Sequence, residues 1–268
     1  MNQSLSRIYA VFLRYAFLHK RSMPRTFEII FWPVMELLVW GFLSVYLQQI
    51  SGGSLSKISL SLINAMIFWD ILYRSQQGVS ISFIEDIWTQ NIVNFLISPL
   101  KIWEWITATF IYGFLKTTLI TFILACLAIA FYQFNLVSNL HFYLVPLVFN
   151  LLLFGWALGI FTSALIIRWG HAAEALIWGI PFLVQPFSAI FYPLSTLPGW
   201  LQNISRCLPS TYVFEGMRAV LQTGALPVGF ITAGLALNAV YFALAGVFFN
   251  EMHKKARASG RLGHLGMD

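Results

Sequence analysis

Six stretches of this chain are apolar for longer than the core helix of a soluble protein requires: 27–47, 58–81, a run within 103–131, 144–167, 172–192 and 228–249. About 20 apolar residues, rising 1.5 Å each, cross the roughly 30 Å hydrocarbon layer of a bilayer. Six such runs in 268 residues leave no room for a sizeable soluble domain. With 59% hydrophobic and only 10% charged residues, the chain lies far from the balance of a soluble domain. Backbone groups in hydrocarbon must bond within their own element. The predicted fold class is therefore all-α: a polytopic membrane protein with six transmembrane helices, forming one domain over 1–268.

Six crossings return both termini to one side, and charge predicts which. Arg7, Arg14, Lys20, Arg21, Arg25, Lys101, Arg168, Lys254, Lys255, Arg257 and Arg261 collect on the side of the termini, against Lys57, Arg206 and Arg218 on the other. Basic residues favour the cytoplasmic side, so both termini are expected there. The same placement explains the net charge of +6 as membrane topology rather than as a nucleic-acid surface.

Before the first apolar run, Leu5, Ile8, Tyr9, Phe12, Leu13 and Ala16 follow the spacing of one helical face, with Arg7, Arg14 and Arg21 on another. This predicts an amphipathic interface helix over 4–22, its arginines turned to lipid phosphates or to a protein partner. It lacks the short apolar core and small-residue cleavage site of a secretory signal. Between the second and third runs, Glu85 and Asp86 open a stretch whose apolar positions Ile84, Ile87, Trp88, Ile92, Phe95 and Leu96 share a face, closed by Ser98 and Pro99. A short helix over 83–98, acidic at its start and including Asn91, has the form that sits in a groove of a partner; lying on the membrane is the alternative.

No G-x-x-x-x-G-K-[ST] occurs in the sequence, so phosphates are not cradled by that route. The five histidines show no zinc-binding spacing and the two cysteines, Cys126 and Cys207, are read as packing residues. Four ionisable residues inside apolar runs stand out, because each costs about 2.5 to 3.5 kcal/mol at the bilayer centre. Glu36, Asp70 and Lys116 are expected at similar depth with Arg74 one turn further in. Their mutual neutralisation across the first three spans is predicted, with Asp70 and Arg74 on one face. Gly155 and Gly159 have the small-xxx-small spacing of close helix approach. Pro181 and Pro186 predict a kink in the fifth span.

The region 193–225 is built differently from a polar loop. Tyr192-Pro193, Leu197-Pro198, Trp200 to Ser205, Leu208-Pro209, Thr211-Tyr212, Glu215 and Arg218 break it into short helical pieces. Together with the amphipathic helix, the six runs and the sequence LISPL at 96–100, this pattern resembles the membrane subunit of ABC-2-type transporters over nearly the whole chain. The resemblance implies that 193–225 forms re-entrant helices capping the pathway on the outer side. It implies a partner ATP-binding subunit in two copies, a second permease copy forming a homodimer, and ATP and Mg held by the partner, with no cofactor on this chain. Glu85, Asp86, Trp88, Asn91, Arg14, Lys20 and Arg21 would then couple to the ATPase. The implied function is a non-enzymatic permease exporting an amphipathic, lipid-like, drug-like or glycan substrate across a bacterial inner membrane. A stand-alone secondary transporter or channel is the alternative, with Glu36, Asp70, Arg74 and Lys116 as its only candidate ion site.

Overall fold

The computed structural model describes residues 3–51, 56–89, 91, 94 and 98–258. Among them, every regular element is helical. In chain order these are α1 (Gln3–Lys20), α2 (Met23–Ile50), α3 (Ser56–Trp88), α4 (Ile102–Tyr132), a short α5 (Leu136–Leu140) and α6 (Leu144–Trp169). Then come α7 (Leu176–Val184), α8 (Gly199–Ser205), α9 (Pro209–Thr223) and α10 (Val228–Ala258).

Among the described residues, four stretches are long and apolar enough to cross a membrane: Thr26–Ile50, Ile102–Tyr132, Leu136–Trp169 and Val228–Ala258. The other two expected crossings depart from that form for different reasons. With 33 residues α3 is long enough, but it carries Asp70, Arg74, Glu85 and Asp86, and neighbouring helices bury all four. The run at 172–192 does not form one helix. It divides into a 3-10 turn at Gly170–Ala173, the nine-residue α7 and a second 3-10 turn at Gln185–Ser188. Pro181 and Pro186 offer no N–H to a helical ladder, and Ala189 then turns the chain with φ of 51°.

The long helices pack around the α3–α6 pair: α2 and α4 lie against α3 and α10 lies against α6, and the most apolar part of Leu136–Trp169 is 56% buried against 17–22% for the other three apolar crossings. Close approach to α3 requires glycine on α6. A Cβ at Gly155 would overlap Ser75 Oγ and lie 2.7 Å from the Leu72 carbonyl; one at Gly159 would lie 2.8 Å from Val79 Cβ. The expected small-residue contact is present. On the other side of α3, a Cβ at Gly78 would lie 2.8 Å from Gly113 Cα of α4. Asn238 of α10 donates to the Asn150 carbonyl of α6 at 3.1 Å, which ties a third helix to the centre.

These contacts also give direction. Leu72 meets Gly155 and Val79 meets Gly159, so α3 and α6 run parallel. Phe154 against Tyr241 and Phe161 against Phe248 make α10 parallel to both, whereas Phe83 against Trp105 and Gly78 against Gly113 make α4 antiparallel. One end of the bundle thus gathers α1 and the last turns of α3, α6 and α10. Lys20, Arg168, Lys255 and Arg257 stand in the last turns of α1, α6 and α10, where positive charge complements the helix dipole. The opposite end is covered by α8 and α9. Cys126 and Cys207, expected to be packed, are both free thiols exposed at the protein surface.

Candidate functional site

A cleft of about 790 Å³ opens between α2, α3, α4 and α7. One stripe of α2 faces it, with Glu28, Trp32, Glu36 and Trp40 four residues apart, the spacing that puts side chains on one helix face. From α3 come Tyr73, Arg74, Gln77, Glu85 and Trp88; α4 supplies Lys116 and α7 supplies Trp178 and Phe182. The volume lies within the range that holds a drug-sized ligand.

All four intramembrane charges are thereby placed. Asp70 and Arg74 neutralise each other, Arg74 Nε lying 2.9 and 3.1 Å from the two Asp70 oxygens with both side chains buried. Glu36 and Lys116 do not join that pair. Both line the cleft, and among the described residues neither makes an ion pair or hydrogen bond. The expected four-way neutralisation is therefore confined to one pair, because a single turn of α3 satisfies it internally.

At the basic end, α1 is held against α3 and α4. Tyr15 is fully buried; its hydroxyl donates to Asp86 Oδ2 at 2.7 Å and accepts from Trp105 Nε1 at 2.9 Å. Burial, and after it the Asp86 carboxylate, pushes the Tyr15 phenol well above its ordinary value, so it remains a donor. Arg14 pairs with Asp86, and the Asn91 amide oxygen, oriented to satisfy its neighbours, accepts from the same guanidinium at 3.1 and 3.2 Å. Arg7 lies 3.5 Å from Glu104, whose other oxygen accepts the Lys101 N–H at 2.9 Å and caps α4. Arg7 and Arg14, two of the three arginines expected to face lipid or a partner, thus meet carboxylates of their own chain.

Glu85 and Asp86 also differ from expectation. They do not open a separate helix over 83–98; α3 runs on through them to Trp88. Ser82 donates its hydroxyl to the Gly78 carbonyl at 2.8 Å, which suits a helix interior. Both carboxylates are buried. Trp88, Lys20 and Arg21 remain exposed at this end, while positions 90, 92, 93 and 95–97 of the expected helix lie outside the described residues.

The opposite end is closed by the pieces of 193–225. Pro193 leads into a 3-10 turn at Leu194–Thr196, Pro198 precedes α8 and Pro209 starts α9, which ends at Gly224 with φ of 74°. Arg218 donates to the Ile190 and Ala189 carbonyls at 3.0 and 2.5 Å and to Glu215 at 2.8 Å. Glu215 also accepts the Leu194 N–H at 2.7 Å, and Tyr212 donates to the Arg206 carbonyl at 3.0 Å. The i, i+3 pair is formed and fastens α9 to the turn after α7.

The sequence model of the ABC-2 type transporter family matches residues 11–221, from α1 through most of α9. This chain belongs to the ABC-2 type transporter family. It is a multi-pass membrane protein of the permease type, and no curated protein matches it. The cleft of this ABC-2 membrane domain also has lining residues that composition alone did not single out. Trp32, Trp40, Tyr73, Trp178 and Phe182 line its cleft; the four-residue recurrence of Glu28, Trp32, Glu36 and Trp40 was the available signal. Tyr15 and Trp105 carried none, since an aromatic residue on an apolar helix face reads as packing.

Proposed function

We propose that this ABC-2 domain is the permease subunit of an ATP-driven exporter in a bacterial inner membrane, with the basic end and both termini cytoplasmic. The observation that carries the reading is the cleft: a family member without a P-loop motif presents an ionisable, aromatic-lined space between its helices. An ionisable residue in such a position is functional by default, because its desolvation is costly without a role. α3 is the second crossing, shielded from lipid by α2, α4 and α6, and α7 with its 3-10 continuation is a fifth, partial one. The region 193–225 dips into the outer leaflet and caps the route.

Two copies of the chain assemble with two copies of a separate ATP-binding subunit, which holds ATP and Mg and carries out hydrolysis. The seat for that subunit is the exposed part of the cytoplasmic end, with Trp88, Lys20 and Arg21 in contact. Arg14, Asp86 and Asn91 act behind it as a brace, passing displacement of the seat into α3. Glu85 connects this end to the cleft, which it also lines.

The test is co-purification of the ATP-binding subunit with tagged permease. Trp88→Ala combined with Lys20→Glu and Arg21→Glu is expected to lower the bound ATPase at least fivefold while the permease remains in the membrane fraction. Undiminished co-purification would place the seat elsewhere.

A further inference from the structure

The chemistry of the cleft narrows what it can hold, given the exporter reading on which this inference rests. We infer that the cleft binds a lipophilic organic cation: a hydrophobic, ring-sized body carrying positive charge.

Charge comes first. Of the described lining residues, Glu28 and Glu36 bring two carboxylates, beside Glu85, which has a partner of its own. Arg74 is matched by Asp70 directly behind it, and among the described lining residues Lys116 is the remaining full cation. His19 and Gln77 complete the polar lining. The balance is negative, in a setting where low dielectric makes each charge count for far more than in water. An anionic headgroup would meet more carboxylates than cations. An uncharged lipid would leave Glu36 desolvated and without a partner among the described residues.

The walls supply the second argument. Trp32, Trp40, Tyr73, Trp178 and Phe182 present aromatic rings to the same space, and ring faces attract cations, tryptophan most strongly. Tyr73 and Phe182 lie 5.6 Å apart, centroid to centroid, across the α3 and α7 walls. A glycan would use the rings for stacking but would also need many neutral hydrogen-bonding groups, and among the described lining residues Gln77 is the one carboxamide. Rings around a carboxylate excess suit delocalised positive charge on an apolar body. Lys116, in the same wall, would compete with a cationic ligand for the carboxylates.

Tetraphenylphosphonium and tetraphenylborate share size and shape and differ in sign of charge, so the pair isolates the claim. Binding to the full-length protein in nanodiscs, read by quenching of tryptophan fluorescence and by equilibrium dialysis, is expected to favour the phosphonium at least tenfold. Glu36→Gln should weaken phosphonium binding about tenfold, with Glu36→Asp restoring most of it. Lys116→Gln should strengthen it, which keeps the test open if Glu36→Gln fails to fold. Equal or tighter binding of the borate would overturn the inference, as would phosphonium binding indifferent to both substitutions. Failure of the exporter reading is separable: phosphonium binding that follows this pattern without any ATP-dependent transport in vesicles containing the ATP-binding subunit would remove the exporter and leave the cation site standing.

Discussion

Gly155 and Gly159 set the distance between α6 and α3, because each faces backbone or side-chain atoms of α3 where a Cβ would stand. Overpacking such a contact costs about 1–3 kcal/mol. Gly155→Ala is therefore expected to lower the thermal unfolding midpoint of the purified protein by several degrees. Gly179, in α7, has nothing within 4 Å of its Cβ direction, and Gly179→Ala should leave the midpoint unchanged or raise it slightly through helix propensity. Equal losses at both positions would mean that the α3–α6 spacing does not control stability. Single residues at the basic end act differently. Tyr15 joins three elements through one hydroxyl, and Tyr15→Phe leaves Trp105 and Asp86 each short of a partner in a buried place. About 1–3 kcal/mol is expected from the two lost buried hydrogen bonds, read as a lower melting midpoint.

At the scale of elements, α9 depends on one guanidinium to hold it over the end of the bundle. Arg218 satisfies two carbonyls at the left-handed turn after α7 and the Glu215 carboxylate at once. Arg218→Ala should cost on the order of 2 kcal/mol from lost charged hydrogen bonds. Limited proteolysis should then cut 193–208 faster, with the long helices still protected. Unchanged cleavage there would show that apolar packing of Phe214 against Phe68 suffices to hold α9. These boundaries were legible in the residues themselves. Pro209 at the first helical position and Gly224 just past the last are local signals, as is the i, i+3 spacing of Glu215 and Arg218. The Asp70 and Arg74 pair and the glycines of α6 were legible for the same reason: each follows from spacing on one helix.

What sequence reasoning missed depends on partners far apart in the chain. Arg14 and Asp86 are separated by the whole of α2 and α3, so nothing local indicated that the acidic stretch would be consumed within the protein. The helix α3 continues past Ser82 to Trp88, with the Ser82 hydroxyl bonded to the i−4 carbonyl, and nothing local to 82–86 marked that continuation. Proline at 181 and 186 announced a bend in 172–192, but the division into short pieces also needed the turn at Ala189 and its Arg218 anchor. The cleft was hidden because its rings come from α2, α3 and α7, each of which alone looks like an ordinary apolar helix.

On the whole-molecule scale, the basic collar lies at one end, the α8 and α9 cap at the other, and the cleft between. In the proposed exporter, the cleft would change the side to which it opens when the partner hydrolyses ATP. This can be measured with one cysteine at Val39, in the cleft wall, after replacing the exposed Cys126 and Cys207. The protein is reconstituted with its ATP-binding subunit and labelled by a membrane-impermeant thiol reagent applied from each side separately. The account predicts labelling from the collar side without nucleotide, and a shift toward the capped side when ATP is supplied. Labelling that is the same with and without ATP, from either side, would contradict it.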